Sequence, residues 1–196
     1  MLSRRELLTA LAAAPLLGPS TASSAPELDF LEEPHPLASE SARGYRSLST
    51  NRAGWIIAPA VRDITPDTCS KLFRRVHWGA WLVLESGLCF SSEAHAKQQL
   101  QLLRKYFGLE ILPPIRAHSY VSYSWPVKKL VRTFHAVTPI VCSQPEAIAT
   151  VQGLPVCLKK QLGNGCIIYL GSMLGPGLMA EERESLQVGN ALILSA

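Results

Sequence analysis

The sequence lacks the patterns that mark the common metal-binding and nucleotide-binding classes. It has five cysteines, but no Cys-x-x-Cys pair occurs, and no histidine stands at metal-site spacing from a cysteine. This spacing argues against a structural zinc site. The Gly-Lys-Ser/Thr sequence of a phosphate-binding P-loop is also missing. We therefore predict no metal and no other cofactor.

Charge is also scarce and nearly balanced. Asp, Glu, Lys and Arg make up 17% of the chain, and the net charge is +4, which indicates little about partners. A basic run, Lys128-Lys129-Leu-Val-Arg132, stands beside Tyr120 and Trp125, and basic residues among aromatics can bind nucleic acid. We favour an exposed strand or turn with aromatic packing. No nucleic-acid partner is predicted, whereas an acidic glycan or another anionic ligand stays open.

The cysteines do not form an obvious disulfide framework. Their number is odd, so at least one thiol is free or pairs outside the chain. Most of them lie in apolar runs, as Cys157 and Cys166 do, where a buried thiol behaves as a small hydrophobic side chain. A disulfide is the alternative in an oxidising compartment. A bond between Cys157 and Cys166 would require that they face each other across a hairpin.

The N-terminus carries the parts of an export signal. Arg4 and Arg5 stand in Ser3-Arg-Arg-x-Leu-Leu, an uncharged run over 7–18 follows, and small residues end the segment. The pattern is typical of a secretory signal and resembles the twin-arginine signal of bacteria, which exports folded proteins. The run is about half of the roughly 20 residues that a membrane span needs. We predict a signal peptide over 1–25, membrane contact only during export, and a periplasmic or secreted protein.

The rest of the chain divides into a short polar segment and one domain. Residues 26–52 are rich in Pro, Ser, Glu and Arg and show no sustained period, which predicts a linker or a loosely docked arm. A single α/β domain is predicted over 53–196. That length is sufficient for a sizeable core.

Strands and helices alternate in the first half of this domain. Residues 54–59 and 80–85 are short apolar segments typical of buried strands. Thr65-Pro66 begins a helix, a second helix extends over 91–107, and 109–112 reads as the next strand. This order predicts a mainly parallel, doubly wound sheet.

The second half has a different pattern. Residues 119–124 and 129–134 alternate as strands do, and Gly163-Asn164-Gly165 separates two apolar strands. Asn-Gly is a strong hairpin signal when both central residues adopt positive φ. The sequence therefore predicts antiparallel additions in the C-terminal half, including this hairpin, followed by a closing helix over 180–195.

The hairpin segment carries a resemblance to a known fold family. From Leu154 to Ser172 it has an apolar-Pro-apolar strand, a polar turn with Gly-x-Gly, and an apolar strand ending in Gly-Ser. This resembles the hairpin of glutamine-amidotransferase-like domains, which include trimerisation domains of some β-galactosidases and trehalose-utilisation-type proteins. The resemblance implies a flavodoxin-like layered α/β sandwich. Since many such domains lack glutamine chemistry, the fold alone does not assign a function.

The same resemblance predicts a pair of catalytic residues. Active amidotransferases place a cysteine in Gly-x-Cys-x-Gly between a strand and a helix, and here Gly87-Leu-Cys89-Phe-Ser91 follows the second strand. Helix N–H groups at such a turn lower the pKa of a thiol. The His-x-Glu of the family corresponds to His135-Ala-Val137, with valine in place of glutamate. Cys89 and His135 are therefore the candidate catalytic residues.

Four further residues are candidates for ligand binding. Glu85 ends an apolar strand, and ligands of such folds bind at the carboxyl edge of the sheet. Gly87 follows it, and Gly171-Ser172 begins a glycine-rich loop that can cradle an anion. The structural alternatives are a cap or ion pair for Glu85 and a tight turn for the loop.

Three functions follow from these observations. The favoured one is an exported, non-catalytic amidotransferase-like domain that binds a small molecule, a glycan or an envelope protein at the carboxyl edge of its sheet. The second is a cysteine-dependent hydrolase or amidotransferase that uses Cys89 with His135. The third is a structural subunit of a cell-envelope complex.

Overall fold

An eight-stranded mixed sheet forms the centre of the fold. The computed structural model describes residues 29–31, 36–48, 54–86, 93–116, 120–134 and 136–195. Its strands are β1 (Asp29–Phe30), β2 (Trp55–Val61), β3 (Trp81–Ser86), β4 (Glu110–Ile111), β5 (Ile115–Arg116), β6 (Tyr120–Tyr123), β7 (Lys129–Arg132), β8 (Ala136–Val137), β9 (Ile140–Val141), β10 (Ala147–Val151), β11 (Leu154–Leu162) and β12 (Gly165–Leu170). Its helices are α1 (Pro36–Arg46), α2 (Pro66–His77), α3 (Glu93–Phe107), α4 (Gly175–Met179) and α5 (Arg183–Leu194). The strand order in the large sheet is β1-β2-β3-β12-β11-β10-β6-β7.

One half of the sheet is parallel, and its inner strands are buried on both faces. It consists of β1, β2, β3 and β12. Every residue of β2 and of β12 is buried, as expected for strands that helices cover on both sides. The crossover helix α2 begins where the sequence predicts, because the Thr65 hydroxyl accepts a hydrogen bond of 3.1 Å from the Thr68 N–H.

The segment over 26–52 contributes elements that its composition did not indicate. Strand β1 extends the parallel edge of the sheet beside β2, and α1 packs against β2 and α4. Helix α1 buries Ala38, Ala42 and Tyr45, which recur at the spacing of one helix face. The expectation of a linker or loosely docked arm is therefore corrected for the described part of this segment. The helix was missed because its buried face consists mainly of small residues.

Glycines allow α1 and α4 to lie in direct contact. A Cβ at Gly44 would overlap the carbonyl oxygen of Gly175, and a Cβ at Gly175 would overlap the side chain of Ser41. Only glycine lets two backbones approach this closely. The contact brings the first residues of α4 next to the buried face of α1.

The other half of the sheet is antiparallel, as predicted for the second half of the domain. It adds β11, β10, β6 and β7 in turn. Between β11 and β12, Leu162 pairs with Gly165, so Gly163 and Asn164 form the turn. Of these two residues Gly163 alone has positive φ, at 61°, which matches the turn type that prefers glycine first. The positive φ that the Asn-Gly pattern predicts at Asn164 and Gly165 is thus wrong, because neither residue has it.

Strand β4 does not extend the parallel sheet as predicted. It pairs antiparallel with β9 in a separate two-stranded sheet, and β5 pairs with β8 in another. The place beside β3 is taken by β12. The physical reason is apolar burial, since β12 supplies six buried residues and β4 is only two residues long, with Glu110 exposed.

Helices cover the parallel half of the sheet on both faces. On one face, Trp55, Ile57 and Val83 belong to the same apolar cluster as Leu178 of α4 and Leu192 of α5. On the other face, alternate residues of the same strands pack against α2 and α3, through Ile56, Leu82, Leu72, Val76 and Phe107. Alternation along each strand therefore divides the core into two layers.

Candidate functional site at the carboxyl edge of the parallel strands

Glu85 is a buried carboxylate near the end of β3. Side chains alternate along β3, so Glu85 shares the face of Val83, toward α1, α4 and α5. Its side chain is 0% exposed. In the sheet it stands opposite Leu170, the last residue of β12. The predicted ligand-binding glutamate thus lies at the predicted edge, but on the inner side of the domain.

Five donors converge on the two carboxylate oxygens. The Leu174 and Gly175 N–H groups donate to Oε1 at 2.6 and 2.8 Å. The Tyr45 hydroxyl donates to the same oxygen at 3.3 Å. The Ala60 N–H donates to Oε2 at 3.1 Å, and the Ser41 hydroxyl also donates to Oε2. We call these five residues the Glu85 donor set; they come from α1, the end of β2 and the start of α4.

Burial controls the electrostatics of this carboxylate. The loss of hydration raises the pKa of Glu85 above its ordinary value, because it outweighs the hydrogen bonds that stabilise the charge. The pKa of Tyr45 is raised well above its usual range by its own burial and by the nearby carboxylate. Every partner in the donor set donates, which matches the ionised form of Glu85. The arrangement ties α1, β2, β3 and α4 together.

Gly171 and Ser172 lie at the same edge, directly after β12. The Gly171 N–H donates to the Val156 carbonyl at 2.8 Å, and the Gly171 carbonyl accepts from the Thr138 N–H at 2.7 Å. A Cβ at Gly171 would overlap the carbonyl oxygens of Thr138 and Val156. Ser172 is 3% exposed. The structure therefore brings Glu85, Gly171 and Ser172 to one edge and buries all three.

The remaining predicted residues lie outside the described part of the chain. These are the candidate catalytic residues Cys89 and His135, the candidate ligand residue Gly87, and Arg4 and Arg5 of the predicted signal. Their roles stay predictions. Among the described residues, no group of three His, Cys, Asp or Glu side chains could hold a metal ion.

The donor set was missed by sequence reasoning. Ser41 and Tyr45 stand four residues apart, on the helix face that also buries Ala38. Reading that spacing as amphipathic would have identified α1 and its inward hydroxyls. The backbone donors of Ala60, Leu174 and Gly175 have no side-chain signal.

A groove opens at the same edge on the opposite face of the sheet. It has a volume of about 510 Å³ and lies beside α3 and β4. Apolar residues dominate its lining, and its charged residues are Lys97 and Arg104 from α3 and Glu110 from β4. It shares Thr138 with a small cavity of about 20 Å³ that is bordered by Val61 and Ser86, the last residues of β2 and β3. We call this surface the α3 groove.

The four described cysteines are all free. Cys69 and Cys157 are buried, and burial raises the pKa of each thiol to about 11. In the hairpin, Cys157 stands opposite Leu170 and Cys166 opposite Gln161. Cys157 and Cys166 therefore do not face each other, as a disulfide between them would require.

No described helix is long and apolar enough to span a membrane. The sequence matches no protein-family model and no curated protein. A similar mixed α/β fold nevertheless recurs in solved structures of bacterial proteins, several of which are glycosidases.

Three structures illustrate this similarity. Exo-β-1,4-mannosidase Op5Man5 from Opitutaceae bacterium strain TAV5 is 14% identical with a TM-score of 0.59, over 98% of this chain and 37% of that one. The β-galactosidase from Rahnella sp. R3 is 15% identical with a TM-score of 0.55, over 87% and 31%. Cytoplasmic Protein STM1381 from Salmonella typhimurium LT2 is 13% identical with a TM-score of 0.57, over 73% and 71%. The chain thus spans about a third of the length of these glycosidases, and the likeness is one of fold.

Proposed function

We propose that the protein is an exported, non-catalytic binding domain with a flavodoxin-like, amidotransferase-like fold of the β-galactosidase trimerisation type. The supporting observation is the enclosure of Glu85. Its carboxylate lies at the edge where such folds bind ligands, yet five donors of the same chain surround it. A carboxylate held in this way stabilises the domain and is not available to a substrate. The N-terminal Arg4-Arg5 pattern supports export through the twin-arginine route.

The α3 groove is the proposed ligand site. It lies at the carboxyl edge, and its lining combines Leu100 and Ile111 with the cations Lys97 and Arg104 and the carboxylate Glu110. Concave, mainly apolar surfaces with a few polar groups are typical of ligand sites. A small molecule, a glycan or an envelope protein could occupy it. Because the two cations outnumber the single carboxylate, the lining favours an apolar ligand that carries an acidic group.

The dye anilinonaphthalene sulfonate, which is apolar and anionic, tests this site. We expect saturable fluorescence enhancement on binding to the folded protein. Ala96→Trp fills the groove, and Arg104→Gln removes a cation. Each should weaken binding by about tenfold, which corresponds to about 1.4 kcal/mol. Lys105→Gln is the matched control on the same helix, because Lys105 is exposed and lies outside the groove lining. Non-saturable binding, or equal affinity in all variants, would contradict the proposal.

Labelling of Cys89 separates this function from the cysteine-dependent alternative. A non-catalytic thiol should react with iodoacetamide with a midpoint near its ordinary pKa of about 8.5. A midpoint more than about two units lower would favour a hydrolase or amidotransferase that uses Cys89 with His135. Cys69 and Cys157 should not interfere, because the pKa of each is about 11. Peptide mass spectrometry identifies the labelled residue, and Cys89→Ser provides the blank.

A further inference from the structure

A second concave surface lies at the other end of the sheet. It is a cleft of about 1000 Å³ along β6 and β7. Strand β7 is the last strand of the large sheet. The start of α5 contributes Glu182 and Glu184 to its lining. We call this surface the β7 cleft; it shares no lining residue with the α3 groove.

The β7 cleft presents an exposed aromatic and apolar surface. Tyr120 pairs with Arg132, and Ser122 pairs with Leu130, so these four side chains share one face of the sheet. Tyr120 is 60% exposed and Leu130 is 57% exposed. Exposed side chains of this size, clustered in a concavity, mark binding surfaces. The flat ring of Tyr120 suits the C–H face of a sugar ring.

Charges of both signs line the same cleft. Lys128, Lys129 and Arg132 provide three cations, and Glu182 and Glu184 provide two carboxylates. The Arg132 guanidinium lies 4.0 Å from the Glu182 carboxylate. That contact occupies one nitrogen, and a guanidinium has five N–H donors. The cleft can therefore bind an anionic group while its carboxylates accept hydrogen bonds from hydroxyls.

We propose that the β7 cleft binds an oligosaccharide that carries carboxylate groups. The lysines bind the sugar carboxylates, Tyr120 stacks on a ring, and Glu182 and Glu184 accept from ring hydroxyls. A nucleic acid fits less well, because its phosphate backbone offers few hydroxyl donors to the two carboxylates, whereas each ring of an acidic oligosaccharide carries hydroxyls beside its own carboxylate. This site goes beyond the proposed function and is separate from the α3 groove, so either can fail while the other stands.

Calorimetric titration of the full-length protein with tetragalacturonate tests the proposal. We expect saturable binding that weakens as the salt concentration rises. Tyr120→Ala should weaken binding by about fivefold, in the range of one aromatic contact. Lys128→Gln with Lys129→Gln should weaken it by about fivefold, as the loss of two exposed ion pairs predicts. Tyr120→Phe, which keeps the ring, and Lys71→Gln, which lies outside the cleft, should bind like the natural protein.

Several outcomes would overturn the proposal. One is the absence of binding to tetragalacturonate at millimolar concentration. Another is equal affinity for neutral galactotetraose or for oligothymidylate, since these probes lack either the carboxylates or the sugar hydroxyl pattern. A third is unchanged affinity in the folded variants. Thermal melting verifies folding, and if Tyr120→Ala does not fold, the lysine double variant alone decides the test.

Discussion

At the scale of single residues, the stability of the domain depends on Glu85, because donors from three separate segments converge on its carboxylate. Glu85→Ala would leave buried donors without an acceptor. We expect a loss of about 3–5 kcal/mol in the free energy of unfolding, as when one partner of a buried charge network is removed. Urea denaturation measures this loss.

A conservative variant and a surface control sharpen this test. Glu85→Gln keeps one oxygen for the Leu174 and Gly175 N–H groups but places an amide N–H against that of Ala60. It should cost about 1–2 kcal/mol. Glu110→Gln, at an exposed site, should stay within about 0.5 kcal/mol of the natural protein. If Glu85→Ala unfolded at the same urea concentration as Glu110→Gln, the donor set would not stabilise the fold.

The pH dependence of stability is a second prediction at this scale. Burial raises the pKa of Glu85 in the folded state above its ordinary value of 4.5. Between these two values the folded state binds more protons than the unfolded state, so the free energy of unfolding falls as pH rises through that window. Glu85→Gln should abolish this contribution. Urea titrations from pH 4 upward measure the free energy of unfolding of the natural protein and of Glu85→Gln. If the difference between the two free energies did not change with pH, or rose with pH, the pKa of Glu85 would not be raised in the folded state.

At the scale of secondary-structure elements, the contact between α1 and α4 is the most constrained feature. Gly44→Ala would place a methyl group on the Gly175 carbonyl and push apart two elements that hold the Glu85 donor set. We expect a loss of about 2–3 kcal/mol, although alanine favours helix more than glycine does. Arg43→Ala is the matched control on the exposed side of the same helix.

Thermal denaturation followed by circular dichroism compares these two helix variants. Gly44→Ala should melt at a clearly lower temperature than Arg43→Ala, which should melt like the natural protein. A Gly44→Ala variant as stable as Arg43→Ala would show that the helices can separate without cost. Local helix propensity would then dominate at this position.

At the scale of the whole molecule, we expect the segment over 29–48 to be required for folding of the domain. Helix α1 contributes Tyr45 to the apolar cluster that includes Trp55 and Ile57, and it supplies two members of the Glu85 donor set. A chain that begins at residue 26 should melt cooperatively. A chain that begins at residue 54 should lose its cooperative transition, because the missing contacts are comparable to a domain's total stability of about 5–15 kcal/mol.

Near-ultraviolet circular dichroism during heating distinguishes these two chains. The shorter chain should also bind hydrophobic dyes without saturation, because one face of its parallel sheet is uncovered. A shorter chain that melts within a few degrees of the longer one would instead support the interpretation of residues 26–52 as a linker or a loosely docked arm.

The sequence by itself determined the elements whose signals are local. The apolar runs predicted β2 and β3, the Thr65-Pro66 pair predicted the start of α2, and the glycine-rich turn predicted the hairpin of β11 and β12. Glu85 could be located at the carboxyl edge for the same reason, because it lies near the end of a buried strand. Such signals depend only on residues close together in the chain.

Only the tertiary structure decided which elements meet. The sequence predicted that β4 continues the parallel sheet, but β4 pairs with β9 and β12 lies beside β3, since strand partners are chosen by competition for apolar burial. The tertiary structure also decided that Glu85 points inward, where Ala60, Leu174 and Gly175 donate backbone N–H groups from 25 to 90 residues away. Nearly every residue type carries a backbone N–H, so the identity of these residues does not reveal their role. Only the folded chain brings them to one carboxylate.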